Sequence, residues 1–233
     1  MKRLKQLKYY YTLSAAHPPA LRIPAGETIV IETADAYEGK IKTEQDLPTP
    51  DRVPLSQANP QSGPIYVEGA EKGDTLTVEV MDVVVNSSQG ITTIVPDFGG
   101  LTRTDFTRLL NEPLPPKTKF CPIENGMIKF SNRIAIPLRP MIGTIGVAPE
   151  SEAISSLTSG PHGGNMDCPD ICAGSKLLLP VCTRGAFLFL GDVHAIQGDG
   201  EISGSAIEVP AECTLKIDVV KGKSITWPRI ESK

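Results

Sequence analysis

The sequence predicts a mainly β fold, with β-sandwich or jelly-roll-like and barrel-like strands and few short helices. Three observations carry this prediction. Apolar and polar residues alternate in several segments, glycine and proline each occur 21 times in 233 residues, and aromatic residues make up only 5%. Turn-forming residues between short alternating segments are typical of sheets joined by turns rather than of long helices. The apolar share of 40% indicates a globular chain with a sizeable core.

Period-2 alternation places the predicted strands along the chain. In the clearest case, Leu76, Val78 and Val80 share one face of an extended segment, with polar residues between them. The other predicted strands are Thr28–Thr33, Met127–Phe130, Arg133–Ile136, Ala186–Leu190, Ile202–Val209 and Thr214–Val220.

The remaining segments are predicted to be short helices or connections. The helices are expected at Thr104–Leu110, where Thr104 is placed to cap the first turn, and at Ser151–Leu157. The connections are Asp46–Pro64, Lys117–Pro122 and Pro137–Pro140. Glycines and prolines near residues 100–120 divide the chain into an N-terminal β-sandwich part, 1–110, and a β-rich part, 111–233, with one intertwined domain as the alternative.

Charge and hydropathy exclude several classes of partner. The net charge is −4, and the longest basic cluster is the segment KRLKQLK at residues 2–8, which is not the basic stripe of a nucleic-acid binder. No apolar run approaches the about 20 residues that span a bilayer. The charged N-terminus is not followed by the apolar segment of a secretory signal. We therefore expect a cytoplasmic protein with no nucleic-acid or membrane partner.

The cysteines are predicted to be reduced and structural. Their number is odd and the chain is not small, so a disulfide framework is not expected. Cys168 and Cys172 form a C-x3-C pair without a second pair at zinc-ribbon spacing, and metal ligation by these thiols is the alternative. No cysteine lies in a motif that indicates a nucleophile.

A first candidate site loop is Gly160–Asp167, which offers His162, Asn165 and Asp167 within six residues. Its glycines allow the backbone to approach a ligand closely. No Gly-Lys-Ser/Thr follows, so the loop is not a phosphate-binding P-loop. The alternative interpretation is a glycine-rich turn with an exposed histidine.

A second candidate site loop is Gly191–Glu201, which is longer than the about 2–5 residues of an ordinary hairpin connection. Asp192 and His194 are two apart and therefore point the same way in an extended chain. Gln197 and Glu201 continue the polar pattern. Imidazole and carboxylate groups are ligands of Zn²⁺ and similar cations, which activate a bound water, and Glu201 could move its proton. The alternatives are a calcium-type turn and a plain surface turn.

At these residues the sequence resembles the acetamidase/formamidase family. The matching stretches are the two loops, Pro24–Asp35, Gly63–Asp82 and Arg139–Ala148, which cover most of the chain in the family's order. The resemblance implies a mainly β homo-oligomer, a dimer or higher, with a bound divalent metal, zinc first and calcium as the alternative. It also implies hydrolysis of short aliphatic amides, such as formamide and acetamide, to carboxylate and ammonia.

Carried over by position, the resemblance assigns roles to eight residues, which we take as predictions. The catalytic residues are Glu201, as the base, His162 and Asp167; the substrate-binding residues are Asn165 and Gln197; the metal ligands are Asp35, Asp192 and His194.

One departure from the family pattern leaves other functions open. Family members continue well beyond the position of Trp227, whereas this sequence stops at Lys233. A shortened relative, a fragment and one of two polypeptides are the interpretations. The alternatives to an amidase are a non-catalytic metal- or ligand-binding β-module and a hydrolase of another C–N bond substrate. No Gly-x-Ser-x-Gly occurs, which argues against the nucleophile elbow of α/β-hydrolases.

Overall fold

The computed structural model describes residues 1–5, 8–96, 98–100 and 114–232. Across these ranges the chain forms strands, with two short 3₁₀ helices at Leu55–Gln57 and Asp199–Glu201. The strands are β1 Lys2–Leu4, β2 Thr12–Leu13, β3 Leu21–Pro24, β4 Glu27–Thr33, β5 Gln61–Glu68, β6 Thr75–Val85, β7 Gln89–Ile94, β8 Lys117–Glu124, β9 Met127–Lys129, β10 Ala135–Pro137, β11 Met141–Val147, β12 Ile154–Ser155, β13 Ser159–Gly160, β14 Gly163–Asn165, β15 Lys176–Pro180, β16 Leu188–His194, β17 Ala211–Val220 and β18 Arg229–Glu231.

Two six-stranded sheets contain most of the strand residues in the described ranges. One has the strand order β1-β4-β17-β6-β15-β18, and the other has the order β13-β14-β11-β16-β5-β3. A four-stranded sheet, β10-β9-β8-β7, and a two-stranded sheet, β12-β2, complete the fold. Strands from both sides of residues 100–120 lie in each six-stranded sheet, so the two parts predicted from the sequence share their sheets.

The largest apolar core of the described residues lies between the two six-stranded sheets. The first sheet contributes residues such as Ile31, Val78 and Leu215, and the second contributes residues such as Ile145 and Leu190. Strand β17 has the alternation of a half-buried strand, whereas β11 and β16 are buried along their whole length. Packing of two sheets face to face over a shared core is the sandwich arrangement. The predicted mainly β class is confirmed.

Strand β11 lies between the two strands that carry the candidate site residues. It pairs with β14 on one side and with β16 on the other, both antiparallel. Thr144 is opposite Asn165 in β14 and opposite Gly191 in β16. This register brings the end of the first candidate loop and the start of the second to the same part of the sheet.

The alternation of buried side chains is interrupted in β16 at the candidate site. Leu190 and Val193 both belong to the central core although they are three residues apart. Asp192, between them, has a φ of 55°, which is the left-handed region and breaks the regular extended repeat. Gly191–His194 is therefore the end of a strand and not the loop that the sequence predicted.

Several sequence predictions are wrong. Ser151–Leu157 is not a helix, since only the short strand β12 lies there, and Lys117–Pro122 is strand β8 rather than a connection. Residues 202–209 form no strand; turns lead to a bridge at Glu208. Strands β8 and β12 form by pairing with β7 and β2, which overrides the local pattern. The helix predicted at Thr104–Leu110 lies outside the described residues.

Within the described ranges, no helix has both the length and the apolar character required to cross a lipid bilayer.

We predict that Gly146→Ala destabilises the fold. A Cβ on Gly146 would lie 2.5 Å from the Gly164 nitrogen and 2.7 Å from the His162 oxygen. Both are backbone atoms, so β11 and β14 must separate, and we expect a loss of about 1–3 kcal/mol in the free energy of unfolding. Urea denaturation measures it. Gly198→Ala is the control because its methyl group would meet nothing within 4 Å, and equal losses in the two variants would contradict the prediction.

Candidate metal centre

Two acidic residues converge on one buried imidazole at the end of β16. His194 Nε2 lies 3.1 Å from Glu208 Oε2 and 3.4 Å from Asp192 Oδ1, and all three side chains are buried. Glu208 is held there by its backbone, which bridges Ile91 on one side and His194 on the other. A buried charge needs a partner, so the arrangement indicates a site that binds a cation or a proton.

Gln197 fixes the orientation of the imidazole. Its Nε2 donates to the Asp167 carbonyl oxygen at 2.5 Å, which leaves its Oε1 to accept a hydrogen bond from His194 Nδ1 at 2.8 Å. An amide oxygen can only accept, so Nδ1 carries a proton. The lone pair of neutral His194 is then on Nε2, the atom that faces the two carboxylates. This is the usual support of a metal-binding histidine.

Asp167 and Glu201 form a second group with the same histidine. Ligand atoms of Asp167, His194 and Glu201 lie within 4.8 Å of one another, as do those of Asp192, His194 and Glu208. Asp167 follows strand β14, and Glu201 ends the 3₁₀ helix Asp199–Glu201. The two candidate loops therefore meet, with four carboxylates around one imidazole.

Amide and hydroxyl groups hold two of the carboxylates in place. Asn59 Nδ2 donates to Asp192 Oδ2 at 2.7 Å and to Asn165 Oδ1 at 3.1 Å. Thr144 Oγ1 lies 2.5 Å from Asn165 Oδ1 and 3.1 Å from Asp192 Oδ2. Asn165 Nδ2 in turn donates to Asp167 Oδ2 at 2.7 Å. Each aspartate thus has one oxygen in this network and its other oxygen available to a ligand.

The close approach of these two aspartates requires a glycine beneath them. A Cβ on Gly143 would lie 2.8 Å from Asp167 Oδ1 and 2.9 Å from Asp192 Oδ2. It would also lie 2.7 Å from the Asp192 carbonyl oxygen. Any other residue at this position in β11 would push both carboxylates away.

Strained backbone is concentrated at the site. Asn59, Asp167, Asp192 and Glu201 all have positive φ values, of 51°, 45°, 55° and 41°. Residues other than glycine rarely adopt this region, which costs of order 1 kcal/mol or more each and is found preferentially at functional sites. The fold therefore maintains an unfavourable backbone in order to aim these side chains.

Burial and mutual repulsion keep protons on the acidic groups. Burial, followed by the charges of Glu208 and Asp167, raises the pKa of Glu201 to about 8. Burial, followed by the charge of Asp192, raises the pKa of Asp167 to about 7, although His194 acts in the opposite direction. Burial also raises the pKa of Glu208, against the effect of His194.

His194 has a raised pKa for the opposite reason. Burial disfavours the charged imidazole and is the largest influence, but the carboxylates of Glu208 and Asp192 together outweigh it. The pKa of His194 therefore lies well above its usual value. Without another cation, a proton on His194 balances part of the negative charge.

The residues present fit a divalent metal ion. The buried atoms His194 Nε2, Glu208 Oε2 and Asp167 Oδ1 have no hydrogen-bond partner. Nitrogen and oxygen are the donors that zinc takes, and bonds of about 2.0–2.2 Å set neighbouring tetrahedral ligands roughly 3.3–3.6 Å apart. The contacts of His194 Nε2 with Glu208 and Asp192, at 3.1 and 3.4 Å, are close to this spacing.

A small cavity opens next to the acidic groups. Its volume is about 80 Å³, and a single water requires only about 10–15 Å³ by the same measure. Asn59, Asn165, Asp192, Glu201 and Glu208 line its polar end. The opposite walls are apolar and include Ala58, Val53, Leu55, Val95, Phe98 and Leu157. The cavity suits a small molecule with a polar head and a short apolar part.

Two of the predicted site residues lie elsewhere. Asp35 Oδ1 accepts from the backbone nitrogens of Tyr37 and Gly39, at 2.9 and 3.2 Å, and so caps a turn. His162 is buried over its own hairpin, close to Gly160 and Gly164. Neither residue is a member of the two acidic groups around His194. The metal role of Asp35 and the catalytic role of His162 stay predictions without support from these contacts.

The substrate-binding roles predicted for Asn165 and Gln197 also stay predictions. Asn165 lines the cavity, but its oxygen and one amide proton are engaged by protein groups. Both polar groups of Gln197 contact the protein, at His194 and Asp167. These contacts directly support a different role, in which Asn165 and Gln197 hold other side chains of the site in position.

Glu208, Asn59 and Thr144 were missed by the sequence analysis. Glu208 lies between Ile207 and Val209, and in a regular strand this alternation would turn it to solvent. Asn59 lies in a proline-rich segment without regular pattern. Thr144 offered one signal, because it lies within the stretch Arg139–Ala148 that resembles the known family.

Comparison with known proteins identifies relatives across the chain. The model of the Acetamidase/Formamidase family matches residues 13–160 and 151–231. An acetamidase from Mycolicibacterium smegmatis is 26% identical over 267 residues, which cover 90% of this chain and 65% of that protein. A formamidase from Methylophilus methylotrophus is 26% identical, with coverage of 88% and 62%. The chain therefore spans less than two thirds of the length of these curated relatives.

Solved structures share the fold over almost the whole chain. The acetamidase from Yersinia enterocolitica is 42% identical with a TM-score of 0.93, and the match covers 99% of this chain and 71% of that one. The acetamidase from Bacillus halodurans is 36% identical with a TM-score of 0.89, and the match covers 99% and 74%.

We predict that the metal-free protein loses stability as pH rises through the titration of Glu201. The folded state holds this proton up to a pKa of about 8, whereas the ordinary pKa of a glutamate is 4.5. The unfolded chain releases that proton first, so it binds fewer protons in this window and the free energy of unfolding falls as pH rises. Removing the titrating group with Glu201→Gln should therefore stabilise the protein increasingly across the window.

Urea unfolding of the chelator-treated protein and of Glu201→Gln, from about pH 5 to pH 8.5, measures this difference. Asp199→Asn is the control, since Asp199 is an exposed acid in the same turn. If the difference in the free energy of unfolding between the parent and Glu201→Gln does not change with pH, the prediction is wrong.

We predict that Gly143→Ala weakens metal binding because its methyl group displaces Asp167 and Asp192. The expected loss in zinc affinity is about tenfold to a hundredfold, measured by calorimetric titration. Gly198→Ala is the control, since its methyl group, in the loop that leads to Glu201, would meet nothing within 4 Å. Equal affinities in the two variants would contradict the role given to Gly143.

Proposed function

This chain belongs to the acetamidase/formamidase family, and from that premise we propose that it is a metal-dependent amidohydrolase of short aliphatic amides. The products are the carboxylate and ammonia. The observation that carries the proposal is the convergence of four carboxylates on His194 at the polar end of a small cavity. The activity is a proposal for this chain because the chain spans only part of its curated relatives.

His194 Nε2, Asp192 Oδ1 and Glu208 Oε2 are the atoms we propose to hold the metal, with Asp167 nearby. A bound divalent ion would polarise the amide carbonyl and increase the acidity of water. We propose zinc as the first candidate, because an imidazole nitrogen suits zinc whereas calcium takes oxygen ligands. Calcium is the alternative.

Glu201 is the group we propose to move the proton. It lines the cavity, and burial raises its pKa in the metal-free protein; a carboxylate of higher pKa is a stronger general base once it is ionised. Glu201 would take a proton from the attacking water as the oxygen bonds to the carbonyl carbon. It would return that proton to the nitrogen as the C–N bond breaks, so that ammonia leaves.

The other residues would hold the acidic groups and exclude water. Asn59 and Thr144 hold Asp192, and Asn165 holds Asp167, so little reorganisation is needed when a substrate enters. The apolar walls of the cavity leave room for a small acyl group beside the polar end. The cytoplasmic location and the homo-oligomer expected from the sequence stay predictions.

We predict that the zinc-loaded protein releases ammonia from formamide or acetamide and that a chelator abolishes this. Glu201→Gln should lower kcat by about 10²- to 10⁴-fold, because a positioned general base contributes this much, while zinc stays bound. Asp199→Asn, in the same turn but exposed, should keep its activity. Ammonia release and metal content are measured together.

Two outcomes separate this function from its alternatives. Stoichiometric zinc with no ammonia from any short amide would reject the amidase and favour a metal-binding module. Turnover of a different amide-like substrate, with the same dependence on Glu201 and metal, would indicate hydrolysis of another C–N bond in the same cavity.

A further inference from the structure

The small cavity shares part of its wall with a larger apolar groove on the surface. The groove has a volume of about 520 Å³, compared with about 80 Å³ for the cavity. Pro48, Val53, Leu55, Val95 and Phe98 line both spaces, so the cavity and the groove are adjacent. A ligand whose polar head lies beside Glu201 would therefore need to pass only these shared apolar side chains for its tail to reach the groove.

Proline gives this groove its chemical character. Pro50, Pro54, Pro96 and Pro116 line the outer part, and proline has no backbone N–H to donate. Its ring also fixes the backbone torsion φ, so the wall is already ordered before a ligand binds. A wall with few donors and little freedom to lose favours an alkyl chain over a polar one.

The groove exposes large apolar side chains at its entrance. Leu55 is 58% exposed and Phe98 is 36% exposed. Exposed apolar residues are ordinary when single, but a contiguous set that leads into a polar site indicates a ligand-binding surface. Among the described residues that line this groove, none has a charged side chain.

We propose that this groove, which we call the acyl groove, binds the unbranched alkyl chain of amides longer than acetamide. This inference rests on the proposed amidase function and extends its substrate class from formamide-like molecules to medium-chain aliphatic amides. The amide group lies at the polar end of the cavity, and the chain passes Leu55 and Phe98 into the acyl groove. The bond that is broken and the products are of the same kind as for acetamide.

The test is a chain-length series from formamide to octanamide with the zinc-loaded protein. Each methylene buried in the acyl groove should raise kcat/KM by about two- to fourfold, from the free energy of burying a CH₂ group. Binding of the same amides to zinc-loaded Glu201→Gln, measured by calorimetry, should follow the same trend and does not depend on turnover.

Pro54→Asp places a charge in the acyl groove without disturbing the backbone. Pro54 precedes the 3₁₀ helix Leu55–Gln57 with φ −61° and ψ 140°, an N-cap conformation that aspartate also adopts. The ratio of kcat/KM for hexanamide to that for formamide should fall by about tenfold or more, since an alkyl chain would then desolvate a carboxylate. Pro18→Asp, at an exposed site that does not line the groove, is the matched control.

The acyl groove is supported if kcat/KM rises with chain length in the parent and in Pro18→Asp but not in Pro54→Asp. A series that is flat in both turnover and binding would overturn it, as would equal effects of the two aspartate variants. If no amide is hydrolysed but binding still rises with chain length, the acyl groove stands and the proposed amidase function falls. If formamide is hydrolysed but neither kcat/KM nor binding rises with chain length, the proposed amidase function stands and the acyl groove falls.

Discussion

The site depends on Gly143, where the absence of a side chain leaves room for two carboxylates. Strand β11 runs between the strands that carry the two candidate loops, and the carboxylates of Asp167 and Asp192 meet directly over this glycine. Thr144, the next residue, contacts Asn165 and Asp192 from the same strand. The free space at Gly143 and the hydroxyl of Thr144 together set the spacing of the two acids.

That spacing concentrates negative charge where water is largely excluded, which opposes folding unless a cation is present. The protein reduces the cost in its metal-free state by keeping protons on Glu201 and Asp167, whose pKa values rise to about 8 and about 7. A divalent ion would displace these protons, so folding, protonation and metal binding are linked. The large apolar core between the two six-stranded sheets supplies the stability that allows the chain to keep such a site.

The sequence predicted the strands better than it predicted the contacts of the site. Alternation located strands such as β6 and β17 because each has one face in the core and one face that is more exposed. Alternation was a wrong guide at 202–209, where the same pattern lies in turns. A regular strand there would have pointed Glu208 towards solvent. Asn59 lies more than 100 residues along the chain from Asn165, its partner. No local periodicity encodes such a pair, since only the tertiary fold brings them together.

The position of β11 also determines how the site responds to thermal motion. The strand is buried along its whole length and is hydrogen-bonded on both sides to the strands that lead to Asp167 and Asp192. A sliding or tilting movement of β11 would therefore carry its two neighbours in the same direction. Such a displacement changes the position of the acidic pair but leaves their separation nearly constant. This pairing would thus keep the separation of the two acids, on which a bound cation depends, more constant than their positions.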